Sequence, residues 1–285
     1  MNSAEESADE RRTRQVAVVT GGGSGLGAVL AHRFADEDMA VAVIDIDGER
    51  ASTVAQSIVS GGGMASAFQG DVTVRARLDQ IARDIAEAFG GCNVLCANAG
   101  VVQFGALERL TEQDWRWVLD VNVLGPVNTV MAFLPILRRS SGMRRILLTS
   151  SSSALSPGAR LGAYATSKFA VTGFGETLRI ELAPEDIGVS ILFPAGMRTP
   201  FLELSPTVRP PSLGPSVTLP DDHEVMLASR DTTTDEYVVD PEYAVRNVLT
   251  DLRNDEPYIV THAPFRDRYE ARVKALHAAL DRADI

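Results

Sequence analysis

Val16-Ala17-Val18-Val19-Thr20-Gly21-Gly22-Gly23-Ser24-Gly25-Leu26-Gly27 is the stretch from which the fold of this chain can be read. Its first five residues are apolar or β-branched without interruption. That predicts a strand covered on both faces, as in a parallel sheet. Helical spacing of apolar residues begins directly after the glycines and predicts a helix over 28–37. The glycines between strand and helix allow a tight turn and a close approach of backbone to a ligand. The helix start adds free N–H groups and the positive end of a dipole, a natural seat for a pyrophosphate. The dinucleotide fingerprint G-x-G-x-x-G/A can be placed on Gly23, Gly25 and Ala28; the spacing Gly21, Gly25, Gly27 fits equally well. With a strand before it and a helix after it, the loop reads as a dinucleotide site, with Gly21, Ser24, Gly25, Leu26 and Gly27 as candidate contacts.

The next buried strand is predicted over 41–45 and ends at Asp45, twenty residues beyond Gly25. A carboxylate there can accept hydrogen bonds from ribose hydroxyls and would repel a 2′-phosphate. No Arg or Lys lies in the glycine loop or next to Asp45 in sequence. NAD is therefore expected over NADP. Asp71-Val72, after a third strand over 64–68, can place a carboxylate and an N–H near an adenine ring, although Asp before a helix is also a common N-cap.

The alternation continues. Helices are expected over 49–60, 74–89 and 161–182, and strands over 94–97, 145–149 and 189–193. A helical stretch over 111–139 begins at Thr111 as N-cap, with Asp114 at its third position, and Gly125-Pro126 is expected to divide it in two. A helix over 244–253, a strand over 258–261 and a helix over 266–284 complete the chain. This pattern predicts right-handed βαβ units and one α/β domain over 15–285: a Rossmann-type, doubly wound parallel sheet in three layers. Ligands of such sheets sit at the carboxyl ends of the strands, here Asn98-Ala99-Gly100 among others. Pro200, Pro206, Pro210, Pro211, Pro215 and Pro220 punctuate 198–240, a stretch with few helix or strand signals that reads as a substrate lid. The polar segment 1–14 reads as a disordered tail.

The chain has 285 residues, 45% of them hydrophobic, and a formal charge of -11. That acidity argues against nucleic acid or an anionic membrane as partner. Cys92 and Cys96 are the only cysteines and read as buried thiols; with no second ligand pair at usable spacing, no zinc site is expected. The N-terminus lacks an apolar core for a secretory signal, and the apolar run 125–137 is too short for a bilayer, so a cytoplasmic protein is expected.

Within the long helix stand Tyr164 and Lys168, four residues apart and hence on one face. An ammonium beside a phenol favours the ionised phenol, which can then take a proton from an alcohol; the protonated phenol can give one to a carbonyl. The bare spacing also occurs in ordinary surface helices, so the surrounding motifs decide its meaning.

Together these residues resemble the short-chain dehydrogenase/reductase family in its single-domain form. The family's T-G-x-x-x-G-x-G appears as Thr20, Gly21, Gly25 and Gly27, and its N-N-A-G as Ala97-Asn98-Ala99-Gly100, with Ala97 in place of the first Asn. Tyr164 and Lys168 match Y-x-x-x-K. Ser151 stands thirteen residues before the tyrosine, and Asn122 matches the asparagine of the helix after the fourth strand. Pro194-Ala195-Gly196-Met197-Arg198-Thr199 matches P-G-x-x-x-T, with Ala195 for the first Gly. The resemblance implies an NAD-dependent oxidoreductase that interconverts a secondary alcohol and a ketone. Tyr164 would be the general acid/base, and Lys168 would lower the tyrosine pKa and bind the nicotinamide ribose. Ser151 would hold the substrate oxygen, and Asn122 a water of a proton relay. Asn98, Ala99 and Gly100 would lie beneath the cofactor, and Pro194, Gly196, Met197 and Thr199 near the nicotinamide amide.

Val102, Phe104, Leu155, Met197, Phe201, Leu202 and Leu204 are candidates for an apolar pocket wall suited to a bulky substrate. The segment 257–265 (PYIVTHAPF) is similar to tails of members acting on hydrophobic or aromatic alcohols; its His262 reads as structural. The long helix is apolar on more than one face, which with the resemblance implies a homotetramer or homodimer. Two rival functions share the fold: a non-catalytic NAD-binding sensor or scaffold, and an NAD-retaining epimerase or lyase.

Overall fold

The structure, a computed structural model, describes residues 14–283. The tail expected over 1–14 therefore lies almost wholly outside the described residues. The apolar runs form β1 (Val16–Thr20), β2 (Ala40–Asp45), β3 (Met64–Gln69), β4 (Val94–Ala97), β5 (Arg145–Thr149) and β6 (Gly188–Phe193). Two short strands, β7 (Gly196–Met197) and β8 (Val238–Val239), pair beside the main sheet, and β9 (Tyr258–Val260) lies at its edge. The main sheet has seven strands in the order β3-β2-β1-β4-β5-β6-β9, all parallel. Val18 sits opposite Ala42 on one side and Leu95 on the other. The order reverses between β1 and β4, and that switch point positions the site.

Strand residues alternate between two apolar layers. Val16 and Val18 face α3 (Arg75–Phe89), α5 (Gly125–Arg139) and α7 (Gly162–Leu182), whose Leu78, Ile81, Phe133, Leu137, Val171 and Leu178 are buried there. Ala17 and Val19 face α1 (Gly25–Asp36), α2 (Gly48–Ser60) and α12 (Val248–Arg253), through Leu30, Phe34, Val54, Ile58 and Leu252. Each such side chain taken fully out of water contributes about 1.5–3 kcal/mol. The result is the three-layer, doubly wound Rossmann-type domain read from the sequence.

The stretch expected to split at Gly125-Pro126 does not split. Between α4 (Glu112–Leu119) and α5 the chain widens into a π-helical turn, Asp120–Leu124, so the helix runs on from Glu112 to Arg139. Pro126 cannot donate to the preceding turn, and the wider turn absorbs the mismatch without breaking the helix. This 28-residue helix, with a mean hydropathy of 1.4 in its most apolar window, is long and apolar enough to cross a membrane by length and composition, because α4 and the π turn extend the short apolar run 125–137. Its apolarity is that of a core helix: Val118, Val130, Phe133 and Leu137 are fully buried. Thr111 caps α4 and closes a capping box with Asp114, as read.

Residues 198–240 are more ordered than their prolines suggested. They hold α8 (Phe201–Thr207), a 3₁₀ turn Pro211–Leu213, α9 (Asp222–Ala228), α10 (Thr234–Tyr237) and β8. Long-range ion pairs hold them. Asp222, 1% exposed, is gripped by Arg109 at 3.0 Å and Arg160 at 3.3 Å, and Arg209 meets the fully buried Asp114 at 2.6 Å. The helix expected over 244–253 is two pieces, α11 (Pro241–Ala244) and α12, and the chain ends in α13 (Arg266–Leu280).

Candidate active site

At the end of β1, Gly21 (φ +63°) and Gly25 (φ +50°) take the left-handed backbone that favours glycine. A Cβ on Gly27 would stand 2.1 Å from the Gly21 carbonyl oxygen and 2.6 Å from the Asn98 amide nitrogen. The strained trio is thus Gly21, Gly25 and Gly27. Gly23 is constrained too, since a Cβ there would meet the Asp45 carboxylate at 2.9 Å. Ser24 starts α1 without a side-chain cap, and no acidic residue occupies the first turn, leaving the N–H groups and dipole for an anion. Gly27→Ala is expected to weaken dinucleotide binding at least about tenfold, or 1.4 kcal/mol, by pushing this loop off its seat; titration calorimetry of the purified variant checks it.

Asn98 braces three strand ends. Its amide nitrogen donates to the carbonyls of Thr20 (3.2 Å) and Gly21 (3.3 Å), and its oxygen accepts from the Thr149 hydroxyl at 3.1 Å. The Asp45 carboxylate accepts from the Gly23 N–H at 2.9 Å and the Asp47 N–H at 3.0 Å, so it ties β2 to the glycine loop with lone pairs to spare for a ribose. One expectation needs correcting here. A cation does stand near Asp45: the first turn of α2 brings Arg50 into the cleft wall, with its guanidinium held by Asp47 at 2.8 Å. Asp71 does not cap α3; its carboxylate accepts from the Thr73 N–H and hydroxyl, both at 2.8 Å, while Asp71 and Val72 line the cleft.

At the far end, Ser151 caps the short helix α6 (Ser152–Leu155) and accepts from the Ser153 N–H at 3.1 Å, leaving its own hydroxyl proton free. Tyr164 stands in the first turn of α7, with its phenol near Ser151. Burial pushes the Tyr164 phenol up to about 12, against the Ser151 hydrogen bond that pulls it down. Burial thus works against the lowering expected from Lys168. The Lys168 ammonium lies 5.6 Å from the Tyr164 ring centroid and donates to the Thr149 carbonyl at 2.9 Å. Its own burial pulls it down to about 8. Asn122 is fully buried in the π turn: it accepts from the Val101 N–H at 2.8 Å and donates to the Val101 carbonyl at 2.9 Å and the Ser167 hydroxyl at 3.0 Å. A Cβ on Gly100 would lie 3.3 Å from its oxygen and 3.5 Å from Lys168 Nζ, so these three groups converge.

One cleft of about 750 Å³ joins the two ends. It is lined by Gly21, Ser24, Gly25, Leu26, Gly27, Asp45, Asn98, Ala99 and Gly100 and then by Ser151, Tyr164, Lys168, Pro194, Gly196, Met197 and Thr199. Thr199 folds over Gly25, whose added Cβ would meet it at 3.3 Å. Asn122 stands behind this wall. Of the proposed apolar wall, Val102, Phe104, Met197, Phe201, Leu202 and Leu204 line the cleft; Leu155 does not, and packs behind it between the Val102–Phe104 cluster and Ala154, Ile191 and Phe193. His223, Met226 and Tyr237 complete the wall and went unread, because the short helices carrying them show no periodicity in the sequence. His262 bonds the Tyr237 carbonyl at 2.9 Å and the Thr261 hydroxyl at 3.0 Å, a structural post outside the cleft. Cys92 and Cys96 are buried free thiols.

A glycine cradle with no Cβ to obstruct it, an uncapped helix start and a carboxylate at the end of β2 fit a dinucleotide, with the Ser151–Tyr164–Lys168 set at its other end. Fold and site together define a Rossmann-type nucleotide-dependent oxidoreductase. The sequence model for "short chain dehydrogenase" matches residues 15–207, and the chain belongs to the short-chain dehydrogenase/reductase family. It is 35% identical to the "Short-chain reductase protein NovJ" of Streptomyces niveus, over 66% of this chain and 71% of that one. It is 27% identical to a "C alpha-dehydrogenase" of a Sphingobium species, over 92% of this chain and 85% of that one. Among solved structures it resembles a short chain dehydrogenase/reductase from Burkholderia phymatum in complex with NAD, with a TM-score of 0.84, 27% identity and coverage of 96% and 98% of the two chains.

Proposed function

We propose that this oxidoreductase interconverts a secondary alcohol and a ketone, on bulky, apolar or aromatic substrates, with NAD as its preferred cofactor. The observation that carries the proposal is the single cleft running from the glycine cradle to the Ser151–Tyr164 pair. Bound there, the nicotinamide supplies the hydride acceptor or donor. The chain's own residues handle the proton. For reduction, the Tyr164 hydroxyl gives its proton to the carbonyl oxygen while the Ser151 hydroxyl donates to the same oxygen, holding the charge that develops. For oxidation, the phenolate takes the proton of the alcohol. Lys168 is assigned to orient the cofactor ribose and to favour the phenolate, and the π turn at Asn122 to hold water for proton supply. Phe104, Phe201, Leu204 and Met226 exclude bulk water and favour an apolar body, with His223 set edge-on to Phe104 at 5.9 Å between ring centroids. The mainly apolar wall and the relative named a C alpha-dehydrogenase both support this substrate class. Exposed apolar side chains on α7 and the π turn, Phe169, Ile180 and Leu124, support assembly into a dimer or tetramer.

Absorbance at 340 nm with NAD or NADP and a panel of aromatic and aliphatic secondary alcohols tests the proposal. Turnover faster with NAD supports it, and no turnover across the panel contradicts it. Asp45→Ser is expected to move the NADP-to-NAD preference at least about tenfold toward NADP by removing the repulsion of a 2′-phosphate beside the Arg50 cation. Ratios of kcat/KM check that.

A pH dependence follows from the phenol being pushed up to about 12. Reduction uses the protonated form, which predominates at neutral pH, so its rate is expected to stay flat from about pH 6 to 8. Oxidation uses the ionised form, whose fraction grows up to about tenfold per pH unit below the midpoint, so its rate is expected to climb over the same range. Initial rates in both directions check the signs.

A further inference from the structure

Arg230 is the largest side chain buried at 2% exposure or less, and among the described residues no carboxylate pairs with it. Its partners are neutral. One Nη donates to the Tyr237 hydroxyl, the other to the Ser153 hydroxyl at 2.8 Å, and the guanidinium lies 5.4 Å from the Tyr237 ring centroid. Its Nε is buried without a hydrogen-bond partner. The contrast with Arg209 is instructive, since that buried guanidinium has Asp114 as counter-charge at 2.6 Å. An unpaired buried cation is destabilising, so its retention asks for a negative charge that arises only at some point in the protein's work. The cleft next to it is where such a charge forms. Ser153 and Tyr237 both line the cleft. Ser153 N–H donates to the Ser151 hydroxyl oxygen at 3.1 Å, and the Tyr237 hydroxyl meets that of Ser152 at 2.9 Å.

We propose that Arg230 is a positioning residue for proton transfer at Tyr164: its unpaired charge, held behind Ser152, Ser153 and Tyr237, stabilises the ionised phenol that alcohol oxidation requires. This rests on the redox function proposed above. The other charged and titratable groups around Tyr164 and Arg230 are accounted for. Lys168 on α7 is bonded to the Thr149 carbonyl, and Asp222 on α9 is neutralised by Arg109 and Arg160. His223 on α9 faces Phe104, and His262 bonds the Tyr237 carbonyl. Arg268 on α13 donates to the Ser229 carbonyl and stands 3.6 Å from the exposed Asp231. Burial is the main influence on the Tyr164 phenol and pushes it up, Ser151 pulls it down, and of the two smaller influences Tyr237 raises it and the Arg230 charge lowers it.

The test is the pH profile of kcat for alcohol oxidation, with cofactor affinity measured alongside. Arg230→Gln removes the charge. Gly158→Asp keeps Arg230 but sets a carboxylate beside it; a Cβ there would crowd Nε at 2.7 Å, so the guanidinium must shift to pair with the new charge, and the variant decides the matter if the first one folds poorly. Both are expected to move the rising limb to higher pH by about half a unit or more with dinucleotide Kd unchanged within about twofold, while Arg230→Lys keeps the wild-type midpoint. An unmoved midpoint in Gly158→Asp or in folded Arg230→Gln, whatever the loss in kcat, overturns the proposal. Failure of the redox reading itself looks different: the unaltered protein then turns over no hydroxy compound.

Discussion

Tyr164→Phe is expected to lower turnover by about three orders of magnitude and to leave dinucleotide affinity within about twofold. The substitution removes one oxygen and keeps the ring, which packs near Phe201 with centroids 6.3 Å apart, so the cleft wall should survive. What is lost is the proton donor or acceptor at the reacting oxygen, which contributes about 10²–10⁴-fold where it is well placed. The upper part of that range applies because no second acid is set to replace it. Ser151 is a hydroxyl committed as acceptor to the Ser153 N–H, and Lys168 Nζ is bonded to the Thr149 carbonyl. His223 and Tyr237 line the same cleft and are the other titratable rings there, so residual activity with a steep dependence on either would reassign the acid. Steady-state kcat, with Kd from titration calorimetry, separates the chemical loss from a binding loss.

The second large effect concerns the stretch that walls the cleft. Arg209→Met is expected to destabilise the protein by about 3–5 kcal/mol, because it strands the Asp114 carboxylate in the interior. Arg209 is 5% exposed and Asp114 not at all. The guanidinium also donates to the Gln103 side-chain oxygen at 3.0 Å and to the carbonyls of Gly214 and Leu213 at 3.1 and 3.2 Å, and lies 5.4 Å from the Trp117 ring centroid. One side chain thus ties 209–214 to α4, next to the cleft-lining Val208, Pro210 and Leu213. Burial opposes ionisation of Asp114, but the Thr111 N–H and hydroxyl and the Arg209 guanidinium outweigh it, and its carboxyl falls below the ordinary 3.8. A depressed carboxyl contributes its stability above the ordinary value and loses it as pH falls through the lower folded one. The clamp should therefore hold at every pH where activity is assayed. Calorimetry should show the melting temperature of Arg209→Met down by roughly 5–15 °C, with faster proteolysis within 208–220. Adding Asp114→Asn should return part of the loss, since it removes the stranded charge. A single variant within about 1 kcal/mol of wild type would show the clamp to be incidental.

What could be read from the chain was whatever is encoded locally. VAVVT is a buried strand by its own composition, the glycines after it are forced by φ and by the 2.1 Å approach at Gly27, and Thr111 with Asp114 announces a helix start. Tyr164 and Lys168 are joined by helical spacing alone. The parts that escaped depend on contacts far along the chain. Helices α8, α9 and α10 are too short to show a period, and distant partners hold their region, Arg109 with Asp222 and Asp114 with Arg209. Arg50 reaches Asp45's neighbourhood only because α2 begins where it does. The setting of Tyr164 shows the same limit: adjacency to Lys168 is visible in the sequence, but the depth of burial that pushes the phenol up is not.

Transfer of deuterium tests the central claim most directly. A secondary alcohol that the protein accepts, labelled at its carbinol carbon, is incubated with NAD, and the nicotinamide is recovered for mass spectrometry. The account predicts one deuterium on the nicotinamide for each ketone formed with the unaltered protein, and almost none with Tyr164→Phe. Ketone formed without label on the nicotinamide, or full transfer by the Tyr164→Phe variant, would contradict it.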